Sequence, residues 1–109
     1  MELKHGKDYG VYRLSDRKYQ AYFWDILKGK NIYLKGCVTE EGANEVYANY
    51  QFEFYSKNPF LIPKGISIDR HAKRFKYVLR NGQEVLMTRN FKTIQMCLKF
   101  RDSIIKGMI

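Results

Sequence analysis

Cysteine and proline are scarce in this chain, with two of each among 109 residues, and no apolar run approaches the length of a membrane span. A transmembrane helix needs about 20 consecutive apolar residues, so no membrane partner is expected. The opening stretch, Met1-Glu2-Leu3-Lys4-His5-Gly6-Lys7-Asp8, has no secretory apolar segment, which points to a cytoplasmic protein. Cys37 and Cys97 fit that setting and are expected as buried free thiols at equivalent places, each near the start of its helix. With His5 and His71 they lack the spacing of zinc ligands. Asp69 and His71 could suggest acid–base work, but no nucleophile stands near them in sequence. A phosphate-cradling glycine loop ending in Lys-Ser/Thr is missing too. The expectation is a non-enzymatic protein with no catalytic residues, no metal site, no cofactor and no small-molecule substrate.

Acidic residues are the other shortage, and it is local. Residues 1–55 carry eight Lys/Arg and eight Asp/Glu; residues 56–109 carry twelve and three, and so hold the whole net charge of +9. Clustered positive charge on a small domain points to a polyanionic partner. Hydrophobic residues make up 45% and aromatics 16% of the chain, too apolar a composition for disorder.

What is present is one pattern, twice. Gly10-Val11-Tyr12-Arg13-Leu14 matches Gly65-Ile66-Ser67-Ile68-Asp69, and Lys18-Tyr19-Gln20-Ala21-Tyr22-Phe23 matches Arg74-Phe75-Lys76-Tyr77-Val78-Leu79. Each copy reads as glycine, strand, basic turn, strand, hairpin, strand, threonine and helix. A repeat of this kind is two copies of one surface. The expected fold is α+β: two tandem β-β-β-α units, each an antiparallel three-stranded sheet covered by one helix. The first unit would span 1–55 and the second 65–109, with a stiff linker over 56–64 in which Pro59 and Pro63 bracket Phe60-Leu61-Ile62.

In the first unit, strands are expected over 9–14, 19–24 and 31–37. Alternation sends Tyr19, Ala21 and Phe23 inward and Gln20, Tyr22 and Trp24 outward. Thr39 reads as a helix cap followed by Glu40 and Glu41, and Ala43, Val46, Tyr47, Tyr50 and Phe54 form the inward stripe. In the second unit, strands are expected over 66–69 and 75–80. Asn81-Gly82 signals a hairpin, read as a three-residue Arg80-Asn81-Gly82 loop that pairs Leu79 with Gln83 and Tyr77 with Val85. That register puts Phe75, Tyr77, Leu79, Val85 and Met87 in the core. Thr93 caps the last helix, whose stripe is Ile94, Cys97, Leu98, the Arg101 stem, Ile104 or Ile105, and Met108.

The first copy resembles the ethylene-response-factor type of DNA-binding domain, also found as the arm-binding domain of phage integrases. Tyr9-Gly10-Val11 is similar to that family's glycine-valine first strand, and Lys18-Tyr19-Gln20-Ala21-Tyr22-Phe23-Trp24-Asp25 to its second strand. Ile32-Tyr33-Leu34 is similar to its Val-Trp-Leu third strand. Thr39, Glu41, Ala43 and Tyr47 fall where its helix carries Thr, Glu, Ala and Tyr. The second copy matches more weakly, through Phe91-Lys92-Thr93. The resemblance implies an exposed sheet face laid in a DNA major groove by arginines and a tryptophan. Here the first copy departs: its face would be Tyr12, Leu14, Tyr22, Trp24, Asn31 and Tyr33, without arginine. Arginine forks read guanine edges and hold phosphates, so this face suits protein contact or base stacking.

The second copy is the reverse. Lys76 and Arg80 on its face, Arg70, Lys73 and Arg74 in its turn, and Arg89 and Lys92 beside it form the expected phosphate-binding surface. The leading expectation is a small nucleic-acid-binding protein of phage or mobile-element type, acting on DNA or RNA in a bacterial host. The alternative is a phage-encoded, anti-CRISPR-like inhibitor of a host nucleoprotein such as an RNA-guided nuclease. There Tyr12, Tyr22, Trp24 and Tyr33 would grip protein while the basic unit blocks the nucleic-acid path.

Overall fold

The computed structural model describes residues 10–107. Tyr9 and Met108, expected in the first strand and on the last helix stripe, lie outside them. The fold is α+β, with two three-stranded antiparallel sheets and two helices. Strands β1 (Val11–Ser15), β2 (Lys18–Asp25) and β3 (Lys30–Cys37) form the first sheet in that order, followed by helix α1 (Glu40–Lys57). A single 3₁₀ turn at Pro59–Leu61 leads to β4 (Ile66–Asp69), β5 (Arg74–Asn81) and β6 (Glu84–Phe91), then helix α2 (Ile94–Gly107). The chain divides into two compact units after Gln51, inside α1 and ahead of the expected boundary at Tyr55.

In the first unit, alternation along β2 buries Ala21 and Phe23 on one face and leaves Trp24 46% exposed on the other. Ala43 and Tyr47 of α1 are buried, and the Phe23 ring lies 6.0 Å from that of Tyr47 and 5.0 Å from that of Tyr50. Thr39 caps α1, its Oγ1 accepting the Gly42 N–H at 3.0 Å. The expected stripe on α1 needs correction. Tyr50 meets Phe23 from the rim and stays 36% exposed, whereas Ala48, Gln51 and Phe52, outside the expected stripe, are buried. The reason is that α1 does not serve one sheet alone: Phe52 belongs to the core cluster of the second unit, and Tyr55 packs against it. A helix with two employers is apolar on more than one side, which blurs a single-stripe reading.

The second core gathers Phe52, Ile66, Phe75, Tyr77, Ile94 and Cys97. Phe75 meets Phe52 edge-on at 5.9 Å, and Tyr77 meets Phe100 at 5.8 Å, distances at which ring pairs attract beyond simple burial. Thr93 Oγ1 accepts the Met96 N–H at 3.2 Å, repeating the Thr39 cap. The two cysteines are not equivalent: Cys37 ends β3, whereas Cys97 is buried in the first turn of α2.

The β5–β6 hairpin also corrects the expected register. Asn81 pairs with Glu84 around a Gly82-Gln83 loop, Arg80 pairs with Val85, and a bulge then pairs Leu79 with Met87 and Tyr77 with Arg89. Gly82 takes φ of 64° at the first loop position, the requirement of a II′ hairpin turn. Val85 therefore lies on the face opposite the core and is 46% exposed, and Met87, on the core side, is still 37% exposed at the sheet edge.

Candidate nucleic-acid interface

The two units repeat one backbone frame. Gly10 and Gly65 precede β1 and β4 with φ of 93° and 89°. The Gly10 carbonyl accepts the Tyr22 N–H at 2.8 Å, and the Gly65 carbonyl accepts the Val78 N–H at 3.0 Å. Val11 pairs with Ala21 as Ile66 pairs with Tyr77. These matches equate Tyr12 with Ser67, Gln20 with Lys76, Tyr22 with Val78 and Trp24 with Arg80. Three of these four positions on the face opposite the core thus carry rings in the first unit, Gln20 being the exception, and all four carry cations or small residues in the second.

On the second sheet, period-two alternation along β5 places Arg74, Lys76, Val78 and Arg80 on one face. Arg74 and Arg80 stand about 20 Å apart along the strand. Across the sheet, Asp69 pairs with Arg74, Ser67 and Asn90 flank Lys76, and Thr88 pairs with Val78. Arg70 and Lys73 lie in the turn between β4 and β5. That turn is built rather than loose. Asp69 Oδ1 accepts the Ala72 N–H at 3.0 Å, and Asp69 Oδ2 accepts a bond from Asn90 Nδ2 at 3.4 Å. Arg74 Nη1 donates to the Lys73 carbonyl at 3.1 Å. These bonds hold Lys73 at φ of 54°, a left-handed conformation that costs roughly 1–2 kcal/mol for a residue with a side chain. The Ala72 N–H, and next among the favourable influences the Lys76 charge, hold the Asp69 carboxyl below its ordinary range.

Arg89 does not join this face. Its pairing with Tyr77 turns it to the core side, where its guanidinium sits 5.2 Å from the centre of the Phe100 ring, a cation–π arrangement. Lys92 follows β6 in the turn before Thr93. Lys64, assigned to the linker on sequence, belongs with Arg80: the two stand with Gly65, Ile66, Ser67 and Val78 around an open depression of about 430 Å³. The signal for Lys64 was its place beside Gly65, the landmark of the repeat.

On the first sheet, Tyr22 pairs with Tyr33, their rings edge-on at 5.4 Å, and the Tyr22 hydroxyl donates to Gln20 Oε1 at 2.9 Å. Tyr33 is 52% exposed, and Tyr12 is half-buried. Trp24 pairs with Asn31. Beyond Trp24, the hairpin tip carries exposed Ile26 and Leu27, which sequence reasoning missed. Asp25, buried under the tip, fixes it by accepting the Leu27 and Lys28 N–H groups at 2.9 and 3.0 Å.

Among the described residues no group of His, Cys, Asp and Glu gathers as metal ligands would, and no helix is long and apolar enough to cross a membrane. No protein-family model, curated protein or solved structure matches the chain.

Proposed function

We propose that this chain is a non-enzymatic nucleic-acid-binding protein of phage or mobile-element type that works in the host cytoplasm. In each unit the sheet is backed by a helix and turns its other face outward. The observation that carries the reading is the alignment of Arg74, Lys76 and Arg80 on one face of β5, continued by Arg70 and Lys73 in a braced turn. A row of cations on an open sheet tracks a phosphate backbone, and neutralising phosphates releases counterions. If four to six phosphates are neutralised, log affinity for duplex DNA falls against log salt with a slope of about −4 to −5. Reversal of Arg74, Lys76 and Arg80 to glutamate abolishes most of that slope, whereas reversal of Lys28 and Lys30 leaves it. Equal losses from the two sets refute the assignment.

A second reading rests on the first unit. Trp24, Tyr33, Ile26 and Leu27 expose large apolar area on one face and its hairpin tip, and exposed aromatics of this kind mark protein contacts. In that reading the chain is a phage inhibitor that docks on a host nucleoprotein through the first unit and blocks its nucleic-acid path with the second. Co-elution with a nuclease complex from a nuclease-treated bacterial lysate, lost on Trp24→Ala, supports it over simple nucleic-acid binding.

A further inference from the structure

We infer that the depression beside Gly65 is a pocket for one unpaired nucleotide of a single strand. The inference rests on the nucleic-acid reading above and narrows its substrate. Its first support is what the walls are made of. Gly65, Ile66 and Val78 contribute apolar lining, Ser67 a hydroxyl, and Lys64 and Arg80 two cations. A base needs a flat apolar bed and a polar group at its edge, and the phosphate joined to it needs cations about one sugar away. The volume of about 430 Å³ falls in the range of small-ligand sites. The one acid of β4, Asp69, is occupied by the Ala72 N–H and the Asn90 amide.

Its second support is the internal comparison. In the first unit the equivalent positions carry Tyr12, Tyr22 and Trp24. Ser67 and Val78 stand where two tyrosine rings stand in the repeat, and the depression lies where those rings would be. The repeat therefore shows that this frame accepts tyrosine at both positions, so filling the pocket is a change the fold already tolerates. Bases inside a duplex are stacked and paired and cannot enter such a pocket, whereas bases of a single strand can.

The test uses the full chain, with anisotropy of a labelled single strand and of the matching duplex at one salt concentration. Val78→Tyr and Ser67→Tyr each restore a residue of the first unit, and circular dichroism confirms folding, so one misfolded variant does not decide the outcome. The expected result is about a tenfold loss of single-strand affinity in each folded variant, the scale of one excluded base, with duplex affinity unchanged; a gain, in which the added ring stacks a base, overturns the pocket. Equal effects on both strands' forms, or none on the single strand, overturn the pocket and leave the phosphate-binding face standing. Failure of the parent protein to bind either form overturns both.

Discussion

Replacing Gly10 by alanine should damage the protein more than replacing Gly65, although the two residues occupy the same place in the repeat. Both have φ near 90°, so a Cβ at either carries a conformational penalty of roughly 1–2 kcal/mol. The surroundings differ. A Cβ on Gly10 would fall on the Tyr22 carbonyl oxygen and 2.6 Å from Tyr47 Cε2, whereas the nearest atom to a Cβ on Gly65 is Tyr77 Cε1 at 3.9 Å, an ordinary contact. Neither neighbour of Gly10 can yield easily. The carbonyl is strand backbone, and Tyr47 is 2% exposed with its ring against Phe23. Overpacking of this kind adds about 1–3 kcal/mol, so Gly10→Ala should cost about 2–5 kcal/mol against about 1–2 for Gly65→Ala. Urea denaturation checks this with two probes. Trp24, the one tryptophan, reports the first unit by fluorescence, and circular dichroism reports both. A Gly10→Ala loss no larger than the Gly65→Ala loss would refute the packing of Tyr47 on Gly10.

Further outcomes follow from single groups. Trp24→Ala should leave the melting temperature near the parental value, because the ring is half exposed; if the first unit docks on protein, the same change should cost about 2 kcal/mol or more of partner binding in calorimetry. Unfolding by Trp24→Ala would instead make the ring part of the core. Burial pushes the Cys97 thiol up to about 12, so it stays protonated at neutral pH. A thiol reagent should then label the half-buried Cys37 in the native protein and reach Cys97 only in denaturant; equal rates for both would contradict the buried first turn of α2. The Asp69 carboxyl, held below 3.8 chiefly by the Ala72 N–H, braces the basic turn. With a folded value below the unfolded one, its contribution is present above the unfolded value and lost as pH falls through the folded one. NMR titration of the carboxyl should give a midpoint under 3.8, and a midpoint at or above it would remove the brace.

The landmarks of the fold were legible because each has a local physical cause. Gly10 and Gly65 are needed for a positive φ, Thr39 and Thr93 for the first N–H groups of α1 and α2, and the alternation of Tyr19 to Phe23 for one buried face. What escaped depended on longer range. The Asn81-Gly82 signal located the hairpin but not the loop, since a glycine at the first or second loop position serves different turns and the bulge after Val85 moves the register by one residue. Lys64 was hidden by the two prolines that precede it and mark a linker, and Arg89 by its charge, since counting cations does not say which face a strand residue takes.

Beneath the exchanged surfaces lies an exchange in the cores. The space beside Gly10 and beside Gly65 is filled by a tyrosine ring, yet not by equivalent tyrosines. In the first unit the ring is Tyr47, from the helix, while the buried strand residue Ala21 is small. In the second the ring is Tyr77, from the strand at the Ala21 position, and the helix position that matches Tyr47, counted from the two threonine caps, is Arg101, whose side chain is 40% exposed and leaves that space to the strand. Close packing constrains the summed volume at a site more than the identity of either partner. A large residue can therefore move from helix to strand while the backbone frame stays as it was. This is why the repeat survives in pattern rather than identity. It is also why the outward faces, free of that volume constraint, could diverge into rings on one sheet and cations around an open depression on the other.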